Sequence, residues 1–459
     1  MICSTLRPSF SAMTESAYAI DTSTPAVVLK FDPNVLHHGG LGVIRSLGRI
    51  GVPVYGVHEG LWAPAASSRY LAGRFFWQPS PEDTDRVLAG LRRLAEHIGQ
   101  PSVLLTTDDA GAIFLAEHGR DLRDRFLFPD PPEDLPRRLA GKYSLHELCR
   151  ELGVPSPRTI MPASLAAARE FASAAGYPLM AKLATPWAEG SALRSTSVLA
   201  SREDLERAYH TCARSGAGLM LQQFIPGGPG HDWFCHGYCD ATSTCRPAFT
   251  GVKERSYPAA AGLTSLGRSA PNEELREQVI TVAAKLAYRG IFDLDIRLDE
   301  RTGEYHLLDF NPRLGAQFRL FRDTAGTDVA LAAYLDLTGQ PIPPGEQVNG
   351  RAFLVENYDP ISALSHLRHR DLTPRAWLAS LRTVDETAWF ARDDLRPFGL
   401  MCLRMGWRLA SRPFGASGGH TAPFRIRYRA GRSAAPQETR PRETRGQETP
   451  IPQKEEMPL

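Results

Sequence analysis

The run His306-Leu-Leu-Asp-Phe-Asn-Pro-Arg-Leu-Gly315 constrains this chain most, because an apolar strand ends there in a carboxylate, an amide and a guanidinium. Side chains two apart on an extended chain leave the same face, so Asp309 and Asn311 point together. A hard divalent cation such as Mg2+, or Mn2+, takes oxygen ligands of this kind and shares the rest of its shell with water and nucleotide phosphates. Pro312 stops the strand, and Arg313 then offers a fixed cationic fork to an anion beside the metal.

Upstream, Phe292-Asp-Leu-Asp-Ile-Arg-Leu-Asp299 alternates as a strand and turns at Gly303 into the strand Glu304 to Phe310, a hairpin with acids on both arms. Asp293 and Asp295 share a face, and Asp295 is the expected third metal ligand. Polyphosphate needs more than one cation, and Lys142 and Lys182 each adjoin an apolar segment. Between Thr185 and Thr196 a Gly- and Ser-containing loop has the small residues whose amides can close over phosphates.

These residues resemble the ATP-grasp superfamily, whose nucleotide site ends in a strand reading acid, apolar, Asn, Pro, Arg. Lys142 followed by Leu152-Gly-Val-Pro-Ser-Pro-Arg-Thr159 is similar to the opening of that domain, Tyr177-Pro-Leu-Met-Ala-Lys182 to its lysine-bearing strand, and Leu221-Gln-Gln-Phe-Ile-Pro-Gly227 to its adenine hinge. The resemblance implies adenine held by backbone groups near Gln223 and Ile225, with Gln222 replacing a common Glu and Asp232 facing the ribose. It also implies that the loop after Thr250 faces the acceptor, which makes Lys253 and Arg255 candidate substrate cations. Solvated strand ends remain the alternative for both, and Arg319 and Arg322 raise the same choice.

The expected fold class is α/β. An N-terminal doubly wound domain of the pre-ATP-grasp kind (24–130) precedes a two-lobed α+β ATP-grasp domain (131–340). A helical C-terminal extension (341–430) follows, with a flexible N-terminus (1–23) and a disordered, Pro-, Glu- and Arg-rich tail (431–459). Strands at 25–30 and 52–57, a helix at 84–99 and a strand at 102–106 mark the first domain. Helical patterns at 361–383 and 396–411 mark the extension. In the latter, apolar bulk mixed with Arg404 and Arg408 is expected to pack on the body or on a second copy, in a homodimer, rather than on a membrane surface.

With 53 Lys plus Arg against 51 Asp plus Glu, the chain carries no broad nucleic-acid footprint. No apolar run is long enough to cross a bilayer, and Met1 to Ile20 lacks the pattern of a secretory signal, Met13 being an alternative start. Seven cysteines without paired spacing point to free thiols in a reducing, cytoplasmic setting. They form no expected zinc site with His231 and His236.

The resemblance implies an ATP-dependent carboxylate–amine ligase, of the D-aspartate ligase or carbamoyl-phosphate synthase kind, acting on small molecules. Metal at Asp295, Asp309 and Asn311 would spread the charge of phosphoryl transfer. Lys142 and Lys182 would orient the phosphates, and Arg313 would hold the acceptor carboxylate in line. A phosphotransferase that stops at a phosphorylated product, and a nucleotide-binding regulatory protein, are the alternatives.

Overall fold

A computed structural model of the chain describes residues 19–183, 196–216, 218–228, 230–257, 262–369 and 372–411. The phosphate-loop candidate at 185–196 falls almost wholly outside these residues, as does the tail from 431.

Three sheets follow one another along the chain. The first holds β1 (Ala26–Leu29), β2 (Val54–His58), β3 (Leu71–Phe76), β4 (Ser102–Thr106) and β5 (Phe126–Leu127), all parallel, in the order β3-β2-β1-β4-β5. β1 is a four-residue apolar run buried throughout, as a strand covered on both faces requires. Helices α1 (Gly39–Arg49), α2 (Thr84–Ile98) and α3 (Asp109–His118) cover it. Asp108 caps α3 by accepting from the Gly111 amide at 2.8 Å.

After α4 (Leu135–Ala140) and α5 (Lys142–Leu152) comes an antiparallel sheet of β6 (Thr159–Ile160), β7 (Leu179–Leu183), β8 (Thr196–Leu199) and β9 (Leu219–Gln223), in the order β6-β9-β7-β8. Helices α6 (Leu165–Ala175) and α7 (Arg202–Ser215) pack on it around its own core of Ala168, Leu179, Leu205 and Leu221.

The third sheet holds β10 (Asp232–Cys239), β11 (Cys245–Tyr257), β12 (Leu263–Ser269), β13 (Gly290–Leu298), β14 (Tyr305–Asn311), β15 (Ala352–Leu354) and β16 (Glu386–Thr387), in the order β14-β13-β10-β11-β12-β15-β16. On one side, Leu294, Ile296 and Leu307 join α5 and α8 (Glu273–Lys285) in an apolar cluster. A second cluster runs without a break from Ala26 on β1 and Leu41 on α1 to Phe234, Phe318 and Trp389, and to Tyr334 on α9 (Val329–Leu337).

Four expectations need correction. Residues 19–23 are anchored, the Asp21 amide donating to Gln340 Oε1 at 2.8 Å and Tyr334 Oη to Thr24 O at 2.8 Å. The C-terminal extension is not purely helical, since β15 and β16 extend the sheet and the Trp389 side chain is buried. The helical pattern at 361–383 splits into α10 (Asp359–His369) and α11 (Pro374–Leu381), because Pro374 suits the start of a helix and not its interior. Cys239 and Cys245 stand opposite each other across the β10–β11 hairpin, 4.0 Å apart at Cα, and form a disulfide. The last helix, α12 (Arg396–Ser411), buries Met401 and ties Arg404 to Trp62 O at 3.0 Å, leaving Leu403 and Trp407 exposed. Among the described residues no helix is long and apolar enough to cross a membrane.

Candidate active site

The β13–β14 register sets the centre of the site. Asp295 lies directly opposite Asp309, and Asp293 opposite Asn311, so each pair has Cβ atoms about 4.5–5.5 Å apart. Two carboxylates at that spacing repel unless cations intervene, and the chain supplies them. Lys253 on β11 places Nζ 2.8 Å from Asp295 Oδ1, and Lys142, the first residue of α5, pairs with Asp309. Burial pushes the Asp295 carboxyl up, with Asp293 and Asp309 adding to the rise against the pull of Lys253. Asn311 donates Nδ2 to Asp293 O at 3.0 Å, which leaves its side-chain oxygen for another partner. An all-oxygen donor set with ammonium groups lying against it fits a hard divalent cation.

Lys182 on β7 belongs to the same cluster. Burial first, and then Lys142, lower its ammonium to about 8, while Asp309 and Asp295 pull the other way. Its Nζ donates to Gln222 Oε1 at 2.8 Å, and Gln222 Nε2 donates to Thr159 Oγ1 at 3.1 Å. Lys142, Lys182, Lys253, Asp295 and Asp309 thus converge from separate elements of the fold.

Arg313 sits at the end of this cluster in a tighter setting. Its NH1 donates to Asp293 Oδ2 at 2.7 Å, and its Nε lies 3.3 Å from Asp109 Oδ1 at the start of α3. Asp293 in turn faces the fully buried His236, with Nε2 3.1 Å from Oδ1. Burial alone would raise the Asp293 carboxyl, but His236 and then Arg313 outweigh it and hold the group well below the ordinary carboxylate range. The chain makes room for this contact at Gly315, where a Cβ would sit 2.6 Å from Asp293 Oδ2 and still closer to the His236 ring. Burial pushes Asp109 up to about 6 although Arg313 opposes it.

The hinge candidates are arranged around Arg297. Its Nε lies 3.3 Å from Asp232 Oδ1, its NH2 donates to Gly227 O at 3.2 Å, and its guanidinium stacks on Phe224. Gln223 Oε1 accepts from Arg158 Nε at 3.3 Å, and Ile225 is buried. Both glutamine side chains are therefore engaged within the protein.

Arg255 is not part of the cluster. The ladder pairs Lys253 with Gly267 and Arg255 with Leu266, so a bulge at Glu254 turns Arg255 to the opposite face from Lys253. There it is buried in a two-pronged pair with Asp359, at 2.8 and 3.1 Å. Arg319 is likewise taken up, by Glu386 at 2.6 Å. Sequence reasoning misses Asp109, weighs His236 only for a zinc site that it does not expect, and considers Asp293 only for metal. Asp109 carries one usable signal, its position just past a parallel strand, where such sheets bind ligands.

No family model matches the chain. It is 24% identical over 230 residues to the D-aspartate ligase of Enterococcus faecium (strain Aus0004), an alignment covering 46% of this chain and 53% of that protein. The chain thus spans about half the length of that relative. An N5-carboxyaminoimidazole ribonucleotide synthetase from Thermus thermophilus superposes with a TM-score of 0.53 at 15% identity, covering 71% of this chain and 82% of that one. The biotin carboxylase domain of the Hydrogenobacter thermophilus 2-oxoglutarate carboxylase, solved with MgADP, ADP and bicarbonate, superposes with a TM-score of 0.51 at 17% identity over 71% and 72% of the two chains. The likeness to these structures shows a shared fold, here a parallel α/β unit followed by a small four-stranded sheet and a larger, mostly antiparallel one.

Proposed function

We propose that the chain is an ATP- and Mg2+-dependent ligase that joins a carboxylate to an amine through an acyl phosphate, releasing ADP and phosphate. The observation that carries this is the Asp295–Asp309 pair ringed by Lys142, Lys182 and Lys253, with Arg313 on the same hairpin. In this reading residues 24–130 form the pre-ATP-grasp domain and 131–340 the nucleotide domain.

A carboxylate does not yield its oxygen to an amine at neutral pH, whereas an acyl phosphate does. Asp295, Asp309 and the Asn311 side-chain oxygen would hold Mg2+, which would offset charge on the phosphates. Lys142 and Lys182 would orient the phosphates of ATP, and these cations would exchange their present carboxylate and amide partners for phosphate oxygens. The backbone near Gln223 and Ile225 would face adenine, and Asp232 the ribose. Arg313, held by Asp293, would align the acceptor carboxylate for attack on the terminal phosphate and later stabilise the oxyanion. Lys253 is the remaining substrate-facing cation, and Arg255, already paired with Asp359, is left out.

The test is ADP and phosphate release from MgATP across a panel of amino acids, hydroxy acids and small peptides, with D-aspartate first, in the presence and absence of hydroxylamine. Acid-dependent release with a trapped hydroxamate is the expected result. A stable phosphorylated product that hydroxylamine does not intercept would replace the ligase reading with a phosphotransferase.

A further inference from the structure

Amide formation requires a nitrogen that gives up a proton as it bonds to carbon, and none of the residues assigned above accepts it. Resting on the ligase reading, we propose that Asp109 is the general base that takes this proton from the attacking amine.

The acids around Arg313 can be separated by what they already do. Asp293 is spent twice, on Arg313 and on His236, and is held strongly ionised, which makes it a poor proton acceptor. Asp108 caps α3 and also accepts the amides of Phe31 and Asp32, at 2.6 and 2.9 Å. Asp295 and Asp309 face the metal position. Asp109 carries none of these loads. Its Oδ1 is buried with no aligned hydrogen bond among the described residues, approached by Arg313 Nε at 3.3 Å, while its side chain as a whole keeps 23% of its surface exposed.

Its place in the fold adds a second argument. In the order β3-β2-β1-β4-β5 the chain builds outward from β1 in one direction and from β4 in the other. The crevice at the C-terminal ends of these two strands is the topological switch point, where open α/β sheets take their ligands. Asp109 stands just beyond β4 at that crevice, against the guanidinium proposed to hold the acyl group. An amine lodged at the switch point would meet the acyl carbon on one side and Asp109 on the other.

The step balances. The nitrogen lone pair forms the C–N bond, the C–O bond to phosphate breaks with its electrons leaving on inorganic phosphate, and one N–H proton passes to the Asp109 carboxylate. The charged and titratable groups facing Asp109 are Arg313 and Asp309 at the end of β14, Lys142 on α5, Asp108 beside it and Tyr288. Burial, set against Arg313, brings its carboxyl to about 6, so it is ionised yet basic enough to act at neutral pH.

Asp109→Asn distinguishes base catalysis from structural support through two probe nucleophiles, used with the acid that the panel identifies. Hydroxylamine is largely unprotonated at neutral pH and a strong nucleophile, so it depends little on a base. Ammonia depends on one. The variant is expected to form hydroxamate within about threefold of the unsubstituted chain, while amide formation from ammonium chloride falls by about 10²–10⁴. The acid limb of the amide pH profile near 6 disappears with it. Equal loss of hydroxamate and amide would assign Asp109 to positioning Arg313 and overturn the proposal, as would loss of neither. Absence of hydroxamate with the unsubstituted chain would instead remove the ligase reading itself.

Discussion

Replacing Asp293 tests whether Arg313 is held by a buried carboxylate or merely lies beside one. The group is 5% exposed and faces two partners, Arg313 at 2.7 Å and His236 at 3.1 Å. Asp293→Ala removes the 2.7 Å acceptor and leaves a buried guanidinium with the longer contacts to Asp109 and Leu314 O, each 3.3 Å, a loss expected to cost about 3–5 kcal/mol. Asp293→Asn keeps an oxygen for Arg313 and removes the negative charge that faces both Arg313 and His236. A hydrogen bond to a charged group contributes about 1.5–3 kcal/mol and a neutral one about 0.5–1.5, so this change should cost only about 1–2 kcal/mol. Urea denaturation at neutral pH measures both as shifts in midpoint at constant slope. The pH dependence supplies a check of sign. The folded Asp293 carboxyl lies below its unfolded value, so its stabilisation is complete above that value, about 3.9. It is lost as pH falls through it toward the folded one. The Asn variant should therefore lose less stability than the parent chain on acidification below about pH 4. An Ala variant with the parent midpoint, or an Asn variant as damaged as Ala, would refute the argument.

Three further outcomes follow from the same geometry. Because burial and Lys142 bring the Lys182 ammonium to about 8, the KM for ATP should rise as pH passes that value, and Lys182→Arg should remove the rise, as steady-state kinetics at several pH values would show. Asp359→Ala should destabilise the chain by about 3–5 kcal/mol by stranding Arg255, and the paired change Arg255→Met with Asp359→Leu should restore most of that in the same urea titration. Gly315→Ala should cost about 1–3 kcal/mol through overpacking and should lower kcat more than it raises the KM for ATP, because the new methyl displaces Asp293 from Arg313.

Local periodicity carries the sequence analysis as far as periodicity holds. Asp309 and Asn311 are two apart on one strand, but Asp295 meets Asp309 because a bulge at Leu308 shifts the register that the short turn sets. Alternation also fails at Arg255, where the bulge at Glu254 inserts a residue and turns Arg255 to the face opposite Lys253. β15 and β16, at three and two residues, are too short to carry any pattern. Asp109 reaches Arg313 only because the first sheet packs against the third, and His236 meets Asp293 as its cross-strand partner in the β10–β13 ladder, a pairing of strands far apart in the chain. The Cys239–Cys245 pairing depends on hairpin register, which cysteine spacing does not encode.

The separate core of the four-stranded sheet bears on how the site could close around a nucleotide. The first and third sheets share one continuous apolar interior, so they can shift against each other only by breaking it. The four-stranded sheet has an interior of its own, and the chain passes into it near Pro155 and out of it near Gly227. In the ligase reading, closure would fall to this sheet, a small jaw joined by two strands of backbone. That jaw carries Lys182 and Gln222, whereas Lys142, Lys253, Asp295, Asp309 and Arg313 ride on the anvil. In the ligase reading the acyl-transfer end would stay assembled while the jaw is open, and Lys182 is the site lysine that would have to arrive.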